Sequence, residues 1–270
     1  MIPKIIHYCW FGGAPFSEKE RRCIDSWRKY CPDYEIREWN ETNYDISANA
    51  YIQQAYVAKR WAFVTDFVRL DVIYQYGGIY LDRDVEIFQN LDPLLESQAF
   101  SGMENVDGNQ LSVNTGLGFG AVAGNKIIGE WRDIYKNLSF LSVDGNQDLL
   151  TTPARITASL QKRGFYQQNS IQVIDEMVVY PTEYFSPKQY NTQKLQITPN
   201  TYSIHHYSES WKSEEERRAS EEWNSLVRKY GHRGAEIISA IKRKINEGGI
   251  PVVIKHVIRK LFNHRKHKWN

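Results

Sequence analysis

Between residues 61 and 76 the apolar side chains Phe63, Phe67, Leu70 and Tyr74 recur at the i, i+4, i+7, i+11 spacing of one stripe, which predicts a helix with a buried face. Gly77-Gly78 ends it, because glycine accepts the left-handed conformation that closes helices. The run Ile79-Tyr80-Leu81 is β-branched and aromatic and predicts a short core strand, which ends in Asp82-Arg83-Asp84. Upstream, residues 4–11 read as a strand closed by Gly12-Gly13. Ser17-x-x-Glu20 is a capping box that opens a helix to about residue 30, with Pro32 just beyond. Residues 34–39 alternate as a second strand, 40–43 form a polar turn, and helical material resumes near Ala48 and runs into the 61–76 stretch. Strand, helix, strand, helix, strand is the order of an α/β, doubly wound sheet.

The second half is less regular. Residues 85–88 continue as a strand, and 99–103 and 116–121 form two more around a polar, glycine-rich loop. Helices are predicted at 125–137 and 153–162, and one strand over 172–180. Residues 181–199 make a long irregular connection, of the kind that builds lids and acceptor surfaces. An edge strand over 202–207 leads to a charged helix whose first turn, Glu214-Glu215-Glu216, suits the helix dipole. Gly231 and Gly234 mark a boundary, which divides the chain into a domain at 1–230 and a helical extension at 231–270. The extension carries two apolar stripes, Ile237, Ile238, Ile241, Ile245 and then Ile250, Val253, Ile254, Val257, Ile258, Leu261.

Composition adds three constraints. With 270 residues, 41% of them hydrophobic, the chain buries one sizeable core plus an appendage. Cys9, Cys23 and Cys31 are odd in number and crowded together, a poor disulfide framework, so reduced thiols are expected. No basic leader with a long apolar stretch follows Met1, and no run approaches the ~18 apolar residues of a membrane span, so a cytoplasmic protein is expected. The net charge of +2 hides an asymmetry: residues 228–270 carry +10 and residues 1–227 carry −8. A cationic amphipathic segment at 235–270 suits an anionic membrane surface, on the inner face of a cell membrane. Packing on the acidic remainder or simple solvation accounts for the charge as well. Nucleic acid is not expected, since no aromatics interleave with the basic residues as stacking platforms.

Two carboxylates one residue apart at the end of a core strand can converge on a hard divalent cation and its phosphate ligands. An Asp-x-Asp pair alone says little; its setting says more. The pattern Asp66-x-x-Arg69, then Tyr76-Gly77-Gly78-Ile79-Tyr80-Leu81-Asp82-x-Asp84, resembles the DxD glycosyltransferases of the sugar-binding-region type (family 32-like). That family holds capsular polysaccharide transferases and yeast-type initiating mannosyltransferases, with the glucosylating clostridial toxins more distant.

The resemblance implies a GT-A-type, Rossmann-like nucleotide-sugar-binding domain with a mixed central sheet. It implies a retaining transfer of a hexose or N-acetylhexosamine from a nucleotide sugar, a UDP-sugar foremost, to a polysaccharide or lipid-linked oligosaccharide acceptor. Asp82 and Asp84 would hold Mn²⁺ or Mg²⁺ on the donor diphosphate, and Asp66 and Arg69 would be catalytic residues against the donor sugar. Tyr80 and Asn114 would face the donor, Trp10 would stack on its base, and Trp211 would touch the leaving phosphate. His206 is expected as third metal ligand, with Glu209 and Ser210 as rivals; His205, one residue away, should face the other side of its strand. On spacing alone, Asp66 and Arg69 could be a simple helix-surface ion pair, Trp10 and His7 core residues, and Asn114 a turn residue. Two other readings stand beside this one: a haloacid-dehalogenase-type Mg²⁺-dependent phosphatase, which also ends a strand in Asp-x-Asp, and a carbohydrate-binding protein without turnover. The phosphatase expects its pair near the start of the domain and a later acidic pair; here it arrives 80 residues in, and no Asp-Asp occurs.

Overall fold

The computed structural model of the chain describes residues 1–106, 110–188, 194–207 and 214–248. The chain divides into two compact units, Met1–Trp211 and Lys212–Asn270.

Unit one is an α/β domain on an eight-stranded mixed sheet. Its first strands are β1 (Ile5–Cys9), β2 (Glu35–Trp39) and β3 (Gly78–Tyr80), and they run parallel with β1 in the middle. β5 (Ala99–Asn105), β6 (Leu111–Asn114), β7 (Phe119–Ala121), β8 (Gln172–Ile174) and β9 (Met177–Tyr180) complete it, in the order β2-β1-β3-β7-β5-β9-β8, with β6 on β5. β7 is antiparallel to both β3 and β5, whereas β9 is parallel to β5. The mixed α/β sheet expected from the sequence is therefore present. β4 (Val85–Ile87) does not extend β3. It leaves the sheet and pairs antiparallel with β10 (Ser203–His205) in a separate ribbon.

Each face of the sheet carries its own core, because strand residues alternate sides. Ile6, Tyr8 and Ile79 pack with α1 (Glu18–Tyr30), whose N-terminus is the predicted capping box with both reciprocal bonds made. Cys9, Tyr80, Phe119 and Val179 face the other way, towards α2 (Ala50–Val57), α3 (Trp61–Tyr76), α4 (Lys126–Ile134) and α5 (Thr152–Gln161). α3 is buried on far more than the predicted stripe: Val64, Val68, Val72 and Ile73 are enclosed as well as Phe63, Phe67 and Leu70. A helix buried on nearly all sides must hold its charged residues in pairs, and Asp66, Arg69 and Asp71 are all buried. Asp71 is satisfied away from the DxD pair, by the Tyr44 hydroxyl at 2.7 Å and the Gln75 amide at 2.6 Å.

Several boundaries differ from the sequence reading. The helical material after residue 48 is two helices, interrupted where Lys59 takes φ 55°. The predicted strand over 172–180 is a hairpin that turns at Asp175, φ 51°. A short helix, α6 (Thr182–Phe185), opens the irregular connection. The three cysteines are buried, free thiols.

Unit two is described over α7 (Glu214–Gly248), which is interrupted by non-helical backbone at Gly231, φ 70°. Lys242 pairs with Glu222 across 20 residues, a span of about 30 Å in a straight helix, so the two halves fold back on each other at that glycine. Residues 249–270, with the second apolar stripe, lie outside the described residues. Among the described residues no helix is long and apolar enough to cross a membrane.

His7, on β1, is a core residue. The Trp39 indole N–H donates to its Nδ1 at 3.0 Å, and its Nε2–H donates to Gly77 O at 2.9 Å. Gly78 passes so close that a Cβ there would lie 2.9 Å from His7 Nε2 and 2.7 Å from Ile5 O. Burial pushes the imidazole pKa from 6.5 down to about 4, and the ring stays neutral in the fold. The unfolded chain therefore binds one more proton than the fold as pH falls from about 6.5 to 4. Stability is lost through that window, by about 1.4 kcal/mol per pH unit and about 3 kcal/mol in total from this group. Urea denaturation at pH 7, 6, 5 and 4.5 should show this slope, and His7→Gln, which cannot titrate, should be flatter by about one proton.

Candidate active site

β1 and β3 are parallel neighbours, so their carboxyl ends lie together, and the chain leaving β3 is pinned there. Leu81 N–H donates to His7 O at 3.1 Å and Asp82 N–H to Gly116 O at 3.3 Å. Asp82 is thereby set beside the turn that follows β6. Its Oδ1 accepts from the Tyr80 hydroxyl at 3.0 Å and lies 3.3 Å from Arg69 Nη2. The same guanidinium nitrogen is 3.5 Å from Asp66 Oδ1, and the guanidinium lies 4.9 Å from the centre of the Tyr80 ring. Asp66 and Arg69 are thus not a solvated surface pair; their side chains are only 12% and 7% exposed.

The electrostatics follow from this burial. Burial raises the Asp66 pKa, and Arg69 offsets only part of the rise. For Arg69, burial alone would favour deprotonation, but Asp82, Tyr80 and Asp66 outweigh it and the group is held charged. Asp66 Oδ2 also accepts from the backbone N–H of Thr152 at 3.4 Å, at the first turn of α5, where helix N–H groups lack internal partners. Arg69 links α3 to the end of β3, and Asp66 links α3 to α5.

Asp84 is enclosed by the β4-β10 ribbon. The His205 ring donates from Nε2 to Asp84 Oδ1 at 3.1 Å, and His206 N–H donates to Asp84 O at 3.0 Å. Burial would lower the His205 pKa, but the Asp84 carboxylate prevails and the net shift is upward. The other ring nitrogen, Nδ1, is buried and has no hydrogen-bond partner among the described residues. His206 points elsewhere, with Nε2 2.8 Å from Glu86 Oε2. The expectation that His206 faces the carboxylates is therefore corrected: His205 does. β10 pairs with β4 so that Ile204 lies opposite Glu86, and strand alternation sends His206 to that same face.

Other expected residues fall differently. Asn114 is near Asp82, but both polar atoms of its amide are used internally: Nδ2 donates to Glu104 Oε1 at 2.9 Å and Oδ1 accepts from Gly116 N at 2.7 Å. Tyr80 is fully buried and props Asp82. Trp10 is not an open platform. Phe16 stacks on it with centroids 4.7 Å apart, and the Arg83 guanidinium, held by Glu20, lies 3.8 Å from its ring centre. Two groups so close cannot share one face, so both faces of the indole are covered. Trp211, Glu209 and Ser210 lie outside the described residues.

Glu104 and Tyr207, which the sequence did not single out, and His205, which it placed on the far face of its strand, lie against the carboxylate pair or its neighbours. Glu104 Oε2 accepts from the Tyr207 hydroxyl at 3.0 Å, and burial raises its pKa. Its only signal was a carboxylate just past a predicted strand, on the same face as Phe100 and Gly102. Two shallow grooves, of about 510 and 280 Å³, are lined by other residues, Tyr44 and Tyr56 in one and Arg22 and Glu86 in the other. Around the DxD pair the accessible group is Asp82, its side chain 24% exposed.

The donor set fits a hard cation in one respect and falls short in another. Among the described residues no three of His, Cys, Asp and Glu are gathered closely enough to hold a metal ion. However, Asp82 and Asp84 supply carboxylate oxygens, the His205 Nε2–H orients Asp84, and Gly116 leaves room at Asp82 Oδ2, where a Cβ would come within 2.4 Å. Mg²⁺-type sites are commonly built in this way, from one or two carboxylates completed by phosphate and water.

Residues 17–101 match the family described as "Glycosyltransferase sugar-binding region containing DXD motif". The chain is also similar to inositol phosphoceramide mannosyltransferase 3 of Schizosaccharomyces pombe, at 38% identity over 111 residues, 37% of this chain and 29% of that protein. The chain thus spans under a third of this curated relative. Solved structures with a similar trace include the PaToxG glycosyltransferase, at 19% identity and a TM-score of 0.44, covering 60% of this chain and 69% of that one. Another is a glycosyltransferase involved in the glycosylation of the major capsid of PBCV-1, at 12% identity and 0.43, covering 81% and 99%. The matched residues 17–101 are similar to that family's sugar-binding region and include the Asp66-to-Asp84 pattern. Glu104, Asn114, His205 and Tyr207 lie beyond the matched stretch.

Gly116→Ala should be the most damaging one-carbon change in this region. Its Cβ would meet Asp82 Oδ2 at 2.4 Å, and also Arg69 Nη1 and Asn114 Oδ1 at 3.1 Å each. We expect the variant to keep its far-ultraviolet circular dichroism while its urea unfolding free energy falls by about 1–3 kcal/mol, because Asp82, Arg69 and Asn114 must give way to the added methyl group.

Proposed function

We propose that this protein is a metal-dependent, retaining glycosyltransferase of GT-A type. It moves a hexose or N-acetylhexosamine from a nucleotide sugar, a UDP-sugar in the first instance, to a polysaccharide or lipid-linked oligosaccharide acceptor. The observation that carries this reading is the buried Asp66–Arg69–Asp82 chain of ion pairs beside Asp84 and His205, at the end of β3 inside the sugar-binding region. The name of the S. pombe relative, a mannosyltransferase for an inositol phosphoceramide, supports a hexose as cargo and a lipid-borne acceptor.

In this reading Asp82 and Asp84 would hold the cation, and His205, not His206, would orient Asp84 through its Nε2–H. When bound, Mn²⁺ or Mg²⁺ supplies Lewis-acid neutralisation of the charge on the departing nucleoside diphosphate. Arg69 presents a planar fork suited to pairs of oxygens, and its two carboxylate partners keep it aimed. Asp66, on the same helix face, accepts hydrogen bonds from sugar hydroxyls. No carboxylate in the sequence is marked out as a covalent nucleophile, so same-face attack assisted by the leaving phosphate is the mechanism adopted. The phosphatase alternative is weaker, because its Asp-x-Asp pair is expected near the start of the domain with a later acidic pair, whereas here the pair arrives 80 residues in and no Asp-Asp occurs.

Incubation with Mn²⁺ and a panel of UDP- and GDP-sugars tests the assignment. Slow release of nucleoside diphosphate is the expected result, phosphate release from monoesters points to the phosphatase, and binding without release points to a lectin. Asp84→Ala should lower the metal-dependent release on the order of 100-fold, and full activity in that variant would remove the DxD pair from the mechanism.

The basic extension has a separate proposed role, as a peripheral contact with anionic membrane. Ile237 and Ile245, of the predicted stripe, are each 44% exposed beside Lys242, Arg243 and Lys244. Wild-type protein should sediment with vesicles containing phosphatidylserine and be released by salt. Changing Lys242, Arg243 and Lys244 to Glu should abolish sedimentation, each lost cation contributing about 1 kcal/mol; unchanged sedimentation would exclude this surface.

A further inference from the structure

Glu104 occupies an unusual place. It is on β5, outside the DxD stretch and outside the family match, and its two carboxylate oxygens are taken by one donor from the neighbouring strand β6 and one from about a hundred residues on. Oε1 accepts from Asn114 Nδ2 at 2.9 Å, and Oε2 accepts from the Tyr207 hydroxyl at 3.0 Å. Each donor leads to one aspartate.

The first route runs through the turn after β6. Asn114 Oδ1 accepts from Gly116 N at 2.7 Å, Gly116 O accepts from Asp82 N at 3.3 Å, and Gly116 is the surface against which Asp82 Oδ2 lies. Without Glu104 the Asn114 amide keeps only its bond from Gly116 N, so the turn loses one of its two anchors. The second route runs through Tyr207, whose backbone is held at φ 51°, a left-handed conformation that a bulky side chain adopts only when its surroundings impose it. Its hydroxyl lies 3.0 Å from Ser186 Oγ as well as reaching Glu104, and its ring lies 4.3 Å from that of His205, which bonds Asp84.

We propose that Glu104 is a positioning residue for the donor site: it braces Asp82 through Asn114 and Gly116, and Asp84 through Tyr207 and His205, and so sets the spacing of the two carboxylates. This rests on the reading of Asp82 and Asp84 as the group that holds cation and diphosphate. Glu104 touches neither; both of its oxygens are spent on the brace. Residues that orient metal-binding groups in this indirect way typically alter metal affinity by about 10- to 100-fold when removed.

The test is Mn²⁺ affinity in the presence of UDP, measured on the full chain by electron paramagnetic resonance of the free ion, with circular dichroism to confirm folding. Glu104→Ala should weaken binding by about 10- to 100-fold. Glu104→Gln should bind nearly as wild type, since its carbonyl can accept from Asn114 and its amide can donate to the Tyr207 oxygen while that hydroxyl donates to Ser186. Tyr207→Phe, which removes one oxygen, should weaken binding by part of the Glu104→Ala effect and add nothing when combined with it. Should Glu104→Ala not fold, Tyr207→Phe alone carries the test, and an unchanged affinity there overturns the brace. Glu104→Gln as weak as Glu104→Ala overturns it too, because the charge itself would then be needed at the reacting groups. Wild-type affinity in Glu104→Ala defeats the brace alone, whereas a wild-type chain that binds no Mn²⁺ with UDP defeats the functional reading and the brace with it.

Discussion

A guanidinium taken out of water must be paired, and the burial of Arg69 is the constraint on which the rest of this site depends. Its side chain is 7% exposed on a helix enclosed on nearly every side, so Asp66 and Asp82 are its counter-ions before they are anything else. A buried charge stripped of its partners typically costs about 3–5 kcal/mol, and here two carboxylates share the guanidinium. The ion pairs hold α3 to the end of β3, and the Thr152 N–H bond to Asp66 adds the first turn of α5. Asp82 is the end of this chain of ion pairs that retains exposure.

The remaining walls come from segments far away in sequence. β4 leaves the main sheet directly after Asp84 and finds its partner in β10, more than a hundred residues on, which brings His205 onto Asp84. β5 and β6 bring Glu104 and Asn114 to the other side. The site thus has a local half, in which Asp66, Arg69, Tyr80, Asp82 and Asp84 lie within twenty residues, and a non-local half that closes over it. The matched sugar-binding region contains the first half only.

The local half was legible in the sequence because its chemistry and its secondary structure share one stretch of chain. The capping box at Ser17, the first two strands, the Gly-Gly break and the short strand before the carboxylates each have a local cause, and each is where the pattern put it. Errors arose where a local pattern had two outcomes. An apolar run over 172–180 reads the same as one strand or as two strands with a turn, and only Asp175 in the left-handed region separates them. Trp10 has the composition of a stacking platform, but Phe16 and Arg83 come to it from elsewhere and cover both faces of the ring.

The histidine pair shows where sequence stops. Alternation along a strand dictates that His205 and His206 face opposite sides, whatever the fold. Which of them meets Asp84 depends on the register of β10 against β4, and nothing in residues 203–206 encodes a register with a strand so distant. Periodicity, capping and glycine placement, all set by interactions over a few residues, determined the elements and the DxD half of the site. The tertiary structure alone decided that His205, Glu104 and Tyr207 complete it, because their contacts come from pairings between strands that only the folded sheet and ribbon bring within hydrogen-bond reach.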